Sequence, residues 1–81
     1  MKLLKLNGKC NACGTRVRQA REKAGLSQEQ LAAKVQLERH SLTQKAISRI
    51  EIGARVVPDF ELPLLAGALN VSVLWLLGME E

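Results

Sequence analysis

Apolar residues along this chain recur at helical rather than strand spacing. Val17, Ala20, Arg21 and Ala24 stand at i, i+3, i+4 and i+7, which share one face of a helix. They predict a first helix from Thr15, stopped by Gly25. Ser27-Gln28-Glu29-Gln30 follows at once, a capping-box pattern that starts a second helix. Its inner face is Leu31, Ala32 and Val35, and two helices meeting across Gly25-Leu26 must turn sharply. After a looser stretch, Glu38 to Leu42, Thr43 caps a third helix. Ala46, Ile47 and Ile50 face inward there, Gln44, Lys45, Ser48 and Arg49 face outward, and Gly53 ends it. Val56-Val57-Pro58 is extended. Asp59 is expected to cap a fourth helix running to Leu69, with Leu62, Leu65, Ala66 and Leu69 inside. Pro63 is tolerated because the first-turn N–H groups of a helix have no partner. Asn70 closes that helix, and Ser72 caps a short fifth one, Val73 to Leu77, ended by Gly78. No segment alternates with period two. The expectation is an all-α, compact five-helix domain over residues 14–81. Residues 1–13 precede it as an arm without periodicity.

Eighty-one residues suffice for one domain, and 47% hydrophobic content suffices for its core. Phe60 and Trp75 are the only aromatics, which disfavours single-strand and RNA readers that stack bases on aromatic platforms. The net charge of +4 is unevenly placed: +6 over residues 1–25, +2 over 26–55 and −4 over 56–81. A basic front suits a polyanion, because neutralised phosphates release condensed counterions. A solvated basic surface without a partner has the same charge pattern. No apolar run reaches the length of a membrane span, and Met1 to Leu6 carries no signal-peptide core. A cytoplasmic protein with reduced cysteines is expected. No catalytic set, Gly-rich phosphate loop or carboxylate-rich metal cluster is present, so the chain reads as a binder and not an enzyme. No cofactor and no small-molecule substrate are indicated.

The order of parts carries the functional signal. A basic first helix precedes a Ser-capped second and a third whose outer face offers Gln, Lys, Ser and Arg. The major groove of B-DNA admits one α-helix, where Gln pairs with adenine and Arg or Lys with guanine. On a helix taken alone such a face is an ordinary solvated surface. Three ordered stretches change the weighing. Arg21-x-x-x-Gly25-Leu26-Ser27-Gln28-Glu29-Gln30-Leu31-Ala32, then Ala46-Ile47-Ser48-Arg49-Ile50-Glu51-x-Gly53, then Leu65 to Leu77 resemble the phage repressor/Cro-type (XRE-like) helix-turn-helix family over roughly residues 14–78. The resemblance implies a sequence-specific regulator of transcription on double-stranded DNA, a repressor in the first instance, often a homodimer on a palindromic operator. It implies that helix 43–52 reads bases through Gln44, Lys45, Ser48 and Arg49. It also implies an ion pair between Arg21 and Glu51. Thr43, Gln28 and Arg55 are the phosphate candidates, and Arg16 and Arg18 add basic potential. One departure concerns the pose of the third helix: Gln36 to Ser41 makes the connection about five residues longer than the family's usual spacing. Arg39 and His40 within it read as surface loop residues or added phosphate contacts.

Two alternatives stay open. One is a protein-interaction module, such as an antitoxin or scaffold, on the same fold. The other is a zinc- or thiol-dependent sensor at Cys10-Asn11-Ala12-Cys13-Gly14, against the plainer reading of two incidental thiols in an arm. Two thiols and one histidine cannot complete a four-ligand zinc site, although two copies could pair their knuckles. A thiol beside the start of the first helix, Cys13, can instead act through a lowered pKa. The apolar run Val73-Leu74-Leu76-Leu77 serves either the core or self-association, and Trp75 reads as core.

Overall fold

Side-chain hydroxyls start three of the helices, and they set the frame. The computed structural model describes residues 5, 7–38 and 40–81. Among these, α1 spans Gly14–Lys23, α2 Gln28–Gln36, α3 Gln44–Glu51, α4 Glu61–Leu69 and α5 Val73–Leu76, with no strand. Ser27 Oγ accepts from the Gln30 N–H at 3.0 Å while Gln30 Oε1 accepts from the Ser27 N–H at 2.8 Å, a reciprocal cap on α2. Thr43 and Ser72 accept from Ala46 and Trp75 N–H in the same way, each at 3.0 Å. Gly25, at φ +73°, reverses the chain after α1, and Leu26 N–H closes back on Arg21 C=O at 3.0 Å.

Periodicity becomes packing as expected over most of the chain. Val17, Ala20, Leu31, Ala32, Val35, Ile47, Ile50, Leu65, Ala66, Leu69 and Leu76 are buried in one core. In it α1 lies against α3, α4 and α5, and α2 bridges α3 and α4. Trp75 is half-buried against this core. The α5 run divides: Leu76 is fully buried while Leu74 is exposed.

Four expectations are corrected. Ala24 is exposed, because it caps the C-terminus of α1 where the chain already turns away. Asp59 does not cap α4, which starts at Glu61. The N–H groups that Asp59 would cap, those of Glu61 and Leu62, instead bond the carbonyls of Pro58 and Asp59 at 3.0 and 3.3 Å. Helix α5 ends at Leu76, with Leu77 as its cap. From Lys9 onward the expected arm is built into the domain: Cys13 is buried in the core, and Cys10 N–H bonds Gly53 C=O at 2.8 Å. Residues 1–4 and 6 of that arm, and Arg39, lie outside the described residues.

The extended α2–α3 connection is anchored at both a side chain and a charge. Leu42 is buried. His40 is not a free surface residue: its Nε2 lies 2.8 Å from Glu61 Oε2, and its ring meets Phe60 edge-on at 5.7 Å. Glu61 is 2% exposed and also takes two bonds from Arg55, at 2.6 and 3.1 Å. Burial by itself would raise the Glu61 carboxyl. The Arg55 and His40 bonds and charges together outweigh burial and hold it below its ordinary value.

Glu61 therefore contributes stability above its ordinary pKa of 4.5, and that contribution fades as pH falls through the lowered folded value. Glu61→Gln should cost about 3 kcal/mol near neutrality, since it strands Arg55. Thermal melts of both proteins from neutral pH into acid should converge as pH falls below 4.5 and through the lowered folded value. A constant gap across that range would contradict the assignment.

Candidate functional site

Amphipathicity shapes α3 more strongly than α1, α2 or α4. Ile47 and Ile50 are fully buried, Gln44, Lys45 and Arg49 are exposed, and Ser48 is half-buried between the two faces. Thr43 lies exposed at the N-terminus, and its hydroxyl, which accepts from Ala46, keeps its own proton free to donate.

A chain of polar groups ties this helix to its neighbours. Arg21, on α1, donates from Nε to Glu51 Oε2 at 2.6 Å and from Nη2 to Glu51 Oε1 at 3.0 Å, a bidentate pair. Its Nη1 bonds Leu26 C=O at 2.9 Å. Glu51 sits at the end of α3, 7% exposed. The bond to Glu51 holds the Arg21 guanidinium above its ordinary pKa. Gln28 Nε2, at the start of α2, donates to the same Glu51 Oε1 at 3.0 Å. Gln44 Nε2 then donates to Gln28 Oε1 at 2.6 Å. Four residues from three helices thus form one connected network around a single carboxylate.

The network leaves useful groups free. Gln44 spends one N–H on Gln28 and retains its second N–H and its carbonyl oxygen, the donor–acceptor pair that adenine's major-groove edge requires. The N–H groups of Gln28 and Glu29 precede the first bond of α2, from Leu31 N–H to Ser27 C=O. They border a shallow depression lined by Arg21, Ser27, Gln28, Glu29 and Gln44. Neither Lys45 nor Arg49 has an acidic partner among the described residues.

The structure thus brings Gln28, Thr43, Gln44, Lys45, Ser48 and Arg49 to one surface. Three other cations are engaged elsewhere. Arg55 is committed to Glu61. Arg16 donates from Nη1 to Trp75 C=O at 3.0 Å and Glu80 C=O at 2.8 Å, with its guanidinium 4.8 Å from the Trp75 ring centroid. Arg18 is exposed and pairs with Glu22 one turn along α1 at 3.2 Å. Sequence reasoning does not single out Asn11, whose amide reaches the carbonyls of Ile50 and Arg55, nor Glu61. Asn11 acts on partners 39 and 44 positions away and Glu61 on His40, 21 positions away, which no local pattern announces.

Cys13 is not an activated thiol. Burial pushes the Cys13 thiol up, which speaks against the alternative of a lowered pKa there. Cys10 is half-buried. Among the described residues no group of three or more His, Cys, Asp or Glu is placed to hold a metal.

Comparison with known proteins gives one consistent picture. A model of the helix-turn-helix family matches residues 17–76. The crystal structure of the restriction-modification controller protein C.AhdI from Aeromonas hydrophila is 33% identical, with a TM-score of 0.69, covering 78% of this chain and 84% of that one. The P22 c2 repressor protein, solved in complex with synthetic operator 9T in the presence of Tl+, is 27% identical with a TM-score of 0.72. The match covers 86% of this chain and 98% of that one.

Three outcomes are expected. Glu51→Ala should lower stability by about 3 kcal/mol, because it leaves Arg21 and Gln28 without their acceptor. In a double-mutant cycle, Arg21→Ala with Glu51→Ala should cost less than the sum of the singles; strict additivity would show the pair to be uncoupled. Iodoacetamide should alkylate Cys10 at least about tenfold faster than Cys13 in the folded protein, read by mass spectrometry of peptides. Equal rates would place Cys13 in solvent reach.

Proposed function

The chain belongs to the helix-turn-helix family of sequence-specific DNA-binding transcriptional regulators, and we propose that it acts as a repressor by seating α3 in the major groove. The observation that carries this reading is the outer face of α3. It holds two cations without acidic partners among the described residues and a glutamine amide already oriented by Gln28, beside the open N-terminus of α2. Base edges fall to Gln44, Lys45, Ser48 and Arg49. Gln44 suits adenine and Arg49 suits guanine, each through two bonds. Phosphates on either side of the groove fall to the Thr43 hydroxyl and to the first N–H groups of α2 at Gln28.

Arg18 can add a phosphate contact, since its exposed i,i+4 bond to Glu22 is worth only about 0.3–0.5 kcal/mol and is easily exchanged. Arg16 and Arg55 are left out of the DNA surface, because each already satisfies groups inside the domain. One similar structure, the P22 c2 repressor, is itself held on operator DNA, which supports the same role here. The DNA-binding domain is taken as residues 14–81, braced by the segment just before it. The acting species is taken as a homodimer, because a twofold protein matches a palindromic operator.

Selection of duplexes from a random library with the purified protein should recover a palindromic sequence. Affinity for that duplex should fall steeply with salt, with a log–log slope of roughly −0.9 for each phosphate neutralised. Arg49→Ala should lose about 1–3 kcal/mol of discrimination at one base pair in each half-site. If wild type and variant bind every duplex equally and weakly, α3 does not read bases and a protein partner becomes the better assignment.

A further inference from the structure

The N-terminal end of α3 is held by the Thr43 cap and the Gln44–Gln28 bond. At its C-terminal end the carbonyls of Ser48, Arg49 and Ile50 accept from the N–H groups of Ile52, Ala54 and Gly53, and Arg21 holds Glu51. A further restraint on that end comes from the segment before α1. Asn11 Nδ2 donates to Ile50 C=O at 3.1 Å, in the last turn of α3, and to Arg55 C=O at 2.8 Å, in the loop beyond it. Asn11 Oδ1 accepts from Gly14 N–H at 2.8 Å, the first residue of α1. One amide therefore spends one donor on the last turn of α3, the other on the loop that follows it, and its acceptor on the start of α1.

Four further observations make this a fitted contact. Cys10 N–H bonds Gly53 C=O at 2.8 Å. A Cβ at Gly14 would run into Ile50 C=O, so the two backbones touch where only glycine allows it. Gly53, at φ +78°, receives the side chain of Lys9, whose Cδ would lie 2.9 Å from any Cβ there. Cys13, 1% exposed, roots the segment in the core.

We propose that the segment Lys9–Gly14 sets the tilt of the recognition helix in the groove, with Asn11 as the positioning residue for base reading. The inference rests on α3 being the base-reading helix. Bidentate base contacts demand placement to within about 0.5 Å. Phosphate contacts are more tolerant and carry no sequence information. Loosening one end of an eight-residue helix therefore damages discrimination before it damages non-specific affinity. Residues 10–13, which carry the Cys-x-x-Cys spacing, owe their place to Asn11 and the Cys13 anchor rather than to thiol chemistry.

The test compares wild type with Asn11→Ser and Asn11→Asp. Serine keeps an acceptor for Gly14 N–H but cannot bridge two carbonyls with two donors. Aspartate removes both donors and sets a carboxylate against those carbonyls. The probes are the duplex selected by wild type and a scrambled duplex of the same composition, at one salt concentration. Binding is read by fluorescence anisotropy at a temperature where circular dichroism shows each variant folded. Asn11→Ser should lower the ratio of selected to scrambled affinity about tenfold, roughly the discrimination of one base contact, with scrambled affinity held. Asn11→Asp should lower the ratio further. A merely structural role would lower both affinities in parallel with the folded fraction and leave the ratio intact, which overturns the proposal. A wild type that enriches no sequence overturns the base-reading assignment itself, whereas enrichment by wild type with an unchanged ratio in both variants overturns the positioning role alone.

Discussion

Everything on the recognition face depends on one buried carboxylate. Glu51 accepts two bonds from Arg21 and one from Gln28, so α1, α2 and α3 share a single acceptor. A charge taken out of water is costly unless its lone pairs are filled with good geometry. That requirement makes the arrangement narrow. Any shift of α3 along α1 lengthens two charge-assisted bonds at once, and any rotation of α2 breaks the third. Such a carboxylate is a weak source of net stability and a strong source of uniqueness, which is what a helix that must match base edges needs. The network then passes from Gln28 to Gln44, so the frame that fixes the helix also orients a side chain on its outer face.

The charge pattern gains its meaning from these pairings. By count a basic front offers many cations to a polyanion, yet three of the arginines serve the domain itself. Arg21 closes the Glu51 network, Arg55 neutralises Glu61, and Arg16 stitches α1 to the C-terminal carbonyls over Trp75. What remains for a ligand on α3 is Lys45 and Arg49, two cations at a spacing of one helical turn. Counting arginines in the sequence therefore overstates the binding surface. An arginine meets a carboxylate or carbonyl inside the protein with the same planar fork that it would offer a phosphate.

The parts that could be read from sequence are those governed by neighbours within one turn. The Ser27–Gln30 cap, the Thr43 and Ser72 caps and the inward Ile47 and Ile50 follow from spacings of three and four residues. Arg21 and Glu51 were legible only through resemblance to a family, since thirty positions separate them. Asn11, His40 and Glu61 stayed illegible for the same reason without that help. Asn11 looks like a loop residue, His40 like a surface one and Glu61 like an ordinary first-turn acid until the fold brings their partners near. The Asp59 error has a different origin: an Asp before a helix is a good cap only if the N–H groups ahead of it are free, and a preceding backbone turn had taken them.

The longer α2–α3 connection is the feature that most threatened transfer of a recognition pose from the family to this chain. Its extra residues cost little in themselves, because loop-closure entropy grows only as about (3/2)RT ln n. The greater danger is slack at the start of α3. Leu42 removes it: this buried side chain stands immediately before the Thr43 cap, so the first turn of α3 is referenced to the core and not to the path of the loop. His40, two residues earlier, adds a second tether through Glu61, itself clamped by Arg55 from the other end of α3. The added length is thus confined ahead of two anchors, with Leu37 exposed to solvent at its outer end. An insertion placed on the far side of Leu42 would have shifted the reading face, whereas one placed before it leaves the helix in register with the frame built around Glu51.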